Sequence, residues 1–356
     1  MDILVLLFAI IIFCNSKIRI NDDYLSINQT RMLKGIFSIV VLIHHITSYI
    51  SSDLLKIFSS VGYIAVAFFF FISAYGSVLQ LKRRKEAYLD TYIFKKLESV
   101  VLPYLEITAL YWIYKVLIDG SDLSLGSSLL NAFGIKFIAS NCWYVVVLLY
   151  FYLFFFVGSC IAVKLKKINI PIIICSLTFV FAYYLFYLKY NAYHPDAVLG
   201  LHWAYSTMLI VAGTVWGCFE EKLRKYISPF FVLSVFTLLC ILYYERVSND
   251  RWNYVLHNIS AFCYVVICIF IVRNIRIENK ILDFLGSISF ETYMIHGLVM
   301  KIAVRYVGTE NALVFSIFII GVSLLAAYLL HKSFAYQRKI LSWVKLKCSK
   351  FNMVRS

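Results

Sequence analysis

Two adjacent histidines, His44 and His45, end an uncharged run of nine residues that begins directly after Lys34. In a helix, the rise of 1.5 Å per residue places His45 about 16 Å beyond Lys34, near the centre of a bilayer. Ionisable groups at that depth usually face a bundle interior or a hydrated cavity and mark functional sites. Because imidazole titrates near neutral pH, this position suits a general base.

A third histidine, His296, lies ten residues into the later apolar segment SISFETYMIHGLVMKI. Its depth in that segment is similar to the depth of His45, so we expect both imidazoles to line one polar cavity. His194 and His202 lie in a connecting segment, where a structural role and a substrate contact are both open. No carboxylate or cysteine stands at metal-like spacing beside His45 or His296, and we therefore predict no metal site.

Composition predicts what surrounds these side chains. The chain has 356 residues, of which 62% are hydrophobic and only 15% are charged. A soluble domain carries about 25% charged residues, so the solvent predicted here is lipid. Only helices and closed barrels satisfy their backbone groups in lipid, and segments such as 61–81 are apolar all round rather than alternating. We predict an all-α, polytopic transmembrane bundle.

The apolar runs predict about ten or eleven helices. They cover residues 2–15, 33–52, 60–81, 99–118, 142–163, 170–188, 203–219, 228–245, 257–272, 286–306 and 312–331. With the N-terminus outside and the C-terminus cytoplasmic, 26 of the 34 Lys and Arg fall on the cytoplasmic side, as the positive-inside rule requires. We expect an N-terminal helix and linker (1–30), a transmembrane domain (31–332) and a basic cytoplasmic tail (333–356).

The net charge of +15 does not predict nucleic-acid binding, because the charges sit in short loops between apolar runs. The nine cysteines form no CxxC pair and read as reduced packing residues.

Several elements together resemble the acyltransferase-3 family of integral-membrane acyltransferases. Its signature is an arginine or lysine, ten residues and a histidine, which Lys34 and His45 match. Lys34 stands where arginine is common, so planar bidentate phosphate recognition becomes recognition by a point charge. Four further elements follow in family order: GYIAVAFFFFISAYG with Ser73, Ala74 and Tyr75; YIFKKLESVVLPYL with Lys95, Lys96 and Pro103; NCWYVVVLLYFYLFF with Trp143 and Tyr144; and SISFETYMIHGLVM with Ser289, Tyr293 and His296.

The resemblance implies transfer of an acyl group, commonly acetyl, from cytoplasmic acyl-CoA to a hydroxyl of a cell-surface or lipid-linked glycan. His45 would be the general base, with His296 orienting it or contacting the acceptor. We expect acetyl-CoA as a co-substrate and no tightly bound cofactor. The donor phosphates would meet Lys34, Arg83, Arg84, Lys95 and Lys96. The substrate contacts would include Ser73, Tyr75, Glu106, Trp143 and Tyr293.

Two other interpretations stay open from the sequence. A transporter or permease could use buried histidines as a proton relay, although only four prolines and no internal repeat are present. A polytopic partner of a glycan-assembly complex would carry no chemistry of its own. We expect a multi-pass protein of the plasma or inner membrane, in contact with the bilayer and with glycan-assembly proteins or a second copy of the chain.

Overall fold

The structure is a computed structural model that describes residues 2–50, 52–121, 124, 126, 128, 133, 138–193, 204, 206–248 and 254–353. His194 and His202 lie outside the described residues. Helices dominate the described chain. In chain order the elements are α1 Asp2–Phe13, β1 Ser16–Ile18, α2 Ile27–Ile46, α3 Asp53–Lys56, α4 Gly62–Arg84, α5 Glu86–Lys96, α6 Leu102–Leu117, α7 Trp143–Lys164, α8 Asn169–Tyr193, α9 Met208–Leu223, α10 Ile227–Ser248, α11 Tyr254–Asn274, β2 Ile275–Ile277, α12 Lys280–Ser287, α13 Ser289–Tyr306 and α14 Ala312–Met353.

Seven helical stretches within the described residues are long and apolar enough to cross a membrane. They are 62–84, 86–117, 143–164, 169–186, 208–245, 254–274 and 312–341. This finding confirms the prediction of an all-α, polytopic membrane bundle. The histidine-bearing helices α2 and α13 are not in this set. Both carry polar and charged side chains, and in α13 twelve of the eighteen residues are buried, so the bundle encloses this helix.

Two segments predicted as loop or tail are helical. Residues 86–96 form α5, which a π-helical turn at Leu97–Val101 joins to α6 in one continuous run. Only Lys85, with a φ of 46°, separates α5 from α4. Residues beyond 331 continue α14 as far as Met353. Lysine and arginine are good helix formers, so a run of basic residues can mark the end of the membrane-spanning segment while the helix itself continues.

Helix α2 is set in place by two kinds of contact. Its first turn is capped by the Ser26 side chain, which accepts a hydrogen bond from the Gln29 backbone amide. Further along, a Cβ atom at Gly35 or Gly286 would meet backbone atoms of the other helix, so α2 and α12 approach at backbone distance. Helix α2 also packs against α4, where the Phe37 and Phe68 rings lie 4.7 Å apart.

Helices α2 and α4 run antiparallel, which defines two ends of the bundle. At the Gly62 end, the His44 ring lies against Gly62. At the Lys34 end, β1 and β2 form a short antiparallel ladder that pairs Lys17 with Arg276. The Gln29 side chain joins this ladder to α2. Its Nε2 donates to the Ile277 carbonyl at 2.8 Å, and its Oε1 accepts from the Ile277 backbone amide at 3.1 Å.

Candidate active site

The structure brings together the two imidazoles that the sequence placed at matched depth. The ring centroids of His45 on α2 and His296 on α13 lie 5.0 Å apart, with 33° between the ring planes. His296 is fully buried, whereas His45 is half-buried. One imidazole of the pair is therefore enclosed by protein, and the other retains an accessible edge.

Hydrogen bonds fix the tautomer of His296. Its Nδ1 lies 3.2 Å from the Thr292 carbonyl oxygen, which can only accept, so Nδ1 carries the proton. Its Nε2 then accepts from Asn141 Nδ2 at 3.0 Å. Gly297 leaves room for this contact, because a Cβ atom there would lie 2.7 Å from the Asn141 side chain and 2.6 Å from the Tyr111 hydroxyl. Because both of its nitrogens are hydrogen-bonded, neutral His296 is better suited to holding the His45 ring in position than to transferring a proton itself.

His44 serves a different contact from His45. Consecutive helical residues point about 100° apart, and His44 turns toward α4. Its Nδ1 donates to the Phe58 carbonyl at 2.9 Å, and its ring fills the space that a side chain at Gly62 would need. The His44 and His45 ring centroids are 5.0 Å apart. His44 therefore links the site to the start of α4.

A series of polar side chains leads from the histidine pair toward the Lys34 end. The Tyr293 ring centroid lies 5.8 Å from that of His296 and 5.2 Å from that of Tyr144. The Tyr144 hydroxyl lies 3.2 Å from Ser73 Oγ. The Tyr152 side chain lies near the same serine. We call this series the polar path: Tyr152, Ser73, Tyr144, Tyr293 and His296.

Two lysines meet where the polar path ends. Lys96 Nζ lies 3.4 Å from the centre of the Tyr152 ring, a close cation–π contact. Lys34 is near enough to Lys96 and Arg31 for their charges to interact. The π-helical turn begins directly after Lys96, and such turns are frequent at functional sites. Positive charge is thus concentrated at one end of the path and imidazole at the other, about 16 Å away along α2.

Comparison with known proteins agrees with this architecture. The sequence model of the acyltransferase-3 family, described as an acyltransferase domain, matches residues 27–332. The chain belongs to the acyltransferase-3 family. It is therefore a multi-pass membrane acyltransferase, and the predicted resemblance is confirmed. No curated protein and no solved structure matches it in the corresponding searches.

Within this acyltransferase, two predicted substrate contacts lie away from the histidine pair. The Tyr75 hydroxyl donates to Glu220 Oε2 at 2.7 Å, so it faces α9. Glu106 accepts from Gln337 Nε2 of α14 at 3.1 Å. Trp143 packs beside the path, with its ring centroid 6.1 Å from that of Phe70. Of the predicted substrate contacts, Ser73 and Tyr293 lie on the polar path itself.

The residues predicted to contact the donor phosphates also fall into two groups, one at the polar path and one at the surface. Arg83 and Lys95 are exposed, and Arg84 donates to the Ala87 carbonyl of its own turn at 3.1 Å. Lys82, in the same basic run, donates to the Gly217 and Cys218 carbonyls at 2.8 and 2.6 Å. The structure therefore brings Lys34 and Lys96 to the path, and it leaves the other three at the rim.

Sequence reasoning missed one residue that contacts the histidine pair of the acyltransferase. Asn141 was not proposed, although it stands directly before the Cys142–Trp143 pair that opens α7. Glu291 of α13 contacts His331 Nδ1 of α14 at 2.9 Å. Among the described residues, no group of three or more His, Cys, Asp or Glu could hold a metal ion.

Proposed function

We propose that this acyltransferase transfers an acetyl group from cytoplasmic acetyl-CoA to a hydroxyl of a cell-surface or lipid-linked glycan in the plasma membrane. The observation that carries the proposal is the contact of His45 with His296 at one end of a polar path that has Lys34 and Lys96 at its other end. A charged, extended donor fits this arrangement, because its anionic part and its reactive part need sites far apart.

The Lys34 end suits the phosphates of the donor. Lys34 and Lys96 place two cations near each other, and Lys96 already rests on the Tyr152 ring. Arg31 lies beside Lys34 but is paired with Asp283. Cation–phosphate hydrogen bonds are about twice as strong as neutral ones. Lys34 would act as a point charge that a phosphate can approach from several directions. The thin pantetheine arm would then follow the polar path and carry the thioester toward the histidines.

His45 is the proposed general base. Its imidazole takes the proton from the acceptor hydroxyl, and the oxygen attacks the thioester carbonyl carbon. The tetrahedral intermediate collapses with loss of the C–S bond, and the leaving thiolate takes the proton back from the imidazolium. A base in this position typically contributes about 10²- to 10⁴-fold. Tyr293, on the path next to His296, is the proposed donor to the developing oxyanion.

His296 is the proposed positioning residue for the base. Because Thr292 and Asn141 occupy both of its nitrogens, it presents a fixed ring face to His45. Packing of this kind holds a catalytic side chain within the narrow range of orientations that proton transfer needs.

The test uses purified full-length protein in lipid nanodiscs with radiolabelled acetyl-CoA and a cell-surface glycan fraction. We expect His45→Ala to lower acetyl transfer at least about 100-fold. The matched control is His331→Asn, which removes an imidazole on α14 away from the pair and should retain transfer. Transfer by His45→Ala at the wild-type rate would refute the base assignment. A lack of any acetyl-CoA turnover in the wild type would reject acetyl-CoA as the acyl donor.

A further inference from the structure

A second polar cluster adjoins the histidines on the side away from Lys34. It begins at Tyr63, the residue after the Gly62 that His44 packs against. The Tyr63 ring centroid lies 5.1 Å from that of His257 on α11. The Tyr63 carbonyl accepts a hydrogen bond from Ser206 Oγ at 2.7 Å, which fixes the start of α4 against the segment before α9.

The remaining members lie on one face of α11 and near the end of α10. His257, Ser260 and Tyr264 are spaced i, i+3 and i+7, so they share a face. The Ser260 side chain lies near the Tyr63 hydroxyl, and the Glu245 carboxylate is near enough to the Tyr63 and Tyr264 hydroxyls for electrostatic interaction. We call this group the Tyr63 cluster: Tyr63, Glu245, His257, Ser260 and Tyr264.

The polar and charged chemistry of the Tyr63 cluster favours a hydrated surface over a lipid-facing one. Tyr63, Glu245, His257 and Tyr264 are all half-buried, on helices whose other faces are strongly apolar. A carboxylate and an imidazole facing hydrocarbon would be costly, and polar side chains in spanning helices usually line a cavity or pathway. Nothing in the proposed donor site uses these groups, which lie beyond the histidines from Lys34.

We propose that the Tyr63 cluster binds a sugar ring of the acceptor, an assignment that rests on the proposed function and names its second substrate site. Aromatic faces pack against the C–H face of a sugar, while a carboxylate and an imidazole hydrogen-bond to its hydroxyls. A few convergent polar groups on an aromatic surface are what fix a ligand in one orientation.

The position of the Tyr63 cluster also fits the direction of transfer. Tyr63 follows Gly62, Gly62 contacts His44, and His44 adjoins His45. A sugar held there would present its hydroxyl to His45 from the Gly62 end, while the thioester arrives from the Lys34 end. Donor and acceptor would then meet at the base without crossing, which is the geometry that transfer across a membrane needs.

The experiment measures sugar binding and donor chemistry separately on full-length protein in nanodiscs. The sugar-binding probe is a fluorescent N-acetylglucosamine tetrasaccharide, used either free or attached to a polyprenyl diphosphate. The donor site is measured separately, by acetyl-CoA hydrolysis in the absence of acceptor. We expect at least one sugar probe to bind, and Glu245→Gln and Tyr63→Phe to weaken that binding about tenfold or more without changing hydrolysis. The matched control is Glu310→Gln, an exposed carboxylate beyond α13 at the same end, which should bind as the wild type does.

Each outcome decides a separate point. Preference for the lipid-linked probe identifies a lipid-linked acceptor, and equal binding of both identifies the sugar as the recognised part. Failure of both probes to bind, or unchanged affinity in Glu245→Gln, would overturn the sugar site. Intact sugar binding together with full transfer by His45→Ala would leave the sugar site standing and reject the proposed catalytic mechanism.

Discussion

Two sets of basic residues at the same end of the bundle have opposite surroundings. Lys34 and Lys96 are half-buried, Lys34 is near enough to Lys96 and Arg31 for their charges to interact, and Lys96 packs on the Tyr152 ring of the polar path. In the run that ends α4, Arg83 is exposed and Lys82 binds backbone carbonyls of α9. Both sets satisfy the bias of positive charge toward one side of a membrane, yet only the first lies where a ligand could reach the histidines.

The difference teaches that the number of charges on a helix end says little about binding. What separates the two sets is direction, and direction follows from helix phase and local geometry. Lys95 is exposed while Lys96, turned by about 100°, packs on Tyr152. The π-helical turn that follows shifts the phase of the rest of this helix, so α6 presents a different face to the bundle.

The sharpest way to break the comparison is to neutralise inward and rim residues one at a time. We expect Lys34→Met and Lys96→Met to raise the KM for acetyl-CoA about 10- to 100-fold, since a hydrogen bond to a charged group contributes about 1.5–3 kcal/mol. Arg83→Met and Lys95→Met, the matched rim variants, should leave KM within about twofold. Steady-state kinetics with varied acetyl-CoA supply the measurement. Equal effects in both sets would mean that overall positive charge, and not the inward pair, attracts the donor.

A smaller effect is expected at the opposite end of the polar path. Asn141→Ala removes the donor to His296 Nε2, so the ring keeps only its bond to the Thr292 carbonyl and is held less firmly against His45. We expect kcat to fall about tenfold with the KM for acetyl-CoA unchanged, and Asn141→Gln to recover part of the loss. Nitrogen-15 NMR of labelled histidine would report the loss of the hydrogen bond at His296 Nε2. An unchanged His296 signal in Asn141→Ala would show that the asparagine does not position this ring.

The sequence allowed much of this site to be predicted, because depth can be read from residue spacing. Lys34, His45 and His296 were placed along their helices by the rise per residue, and the structure brings the two imidazoles into contact. The helix-rich bundle followed from composition for the same reason, since lipid leaves few alternatives for the backbone.

What could not be predicted is which way each side chain faces. Ser73 and Tyr75 occupy neighbouring motif positions, but two residues correspond to about 200° around a helix. Ser73 therefore reaches the polar path, while Tyr75 binds Glu220 on the other side of α4. Asn141 carried no periodic signal because it lies in a short turn before α7, where its contact with α13 is purely tertiary.

Lys82, in the basic run that ends α4, should affect stability instead of turnover. Lys82 supplies the hydrogen bonds for the Gly217 and Cys218 carbonyls, just before the non-helical Phe219. Lys82→Met leaves both acceptors without this donor, at a cost of about 1–3 kcal/mol. We expect a lower thermal unfolding temperature in detergent and an unchanged KM for acetyl-CoA. A raised KM with normal thermal stability would instead place Lys82 with the inward set.

The smallest effect is expected at the strand ladder, where Glu278 faces Lys17 at 2.6 Å, Arg276 at 2.9 Å and Arg19 at 3.2 Å. The Lys17 hydrogen bond is the main reason that the pKa of Glu278 lies below its usual 4.5. A lowered folded-state pKa stabilises the fold above pH 4.5, and this contribution is lost as pH falls through the folded-state value. Glu278→Gln should therefore have a slightly lower melting temperature than the wild type at pH 7. This difference in melting temperature should disappear in acid, where Glu278 is protonated, and in high salt, where exposed ion pairs are screened. A gap that persisted in thermal melts under both conditions would mean that Glu278 contributes through packing rather than charge.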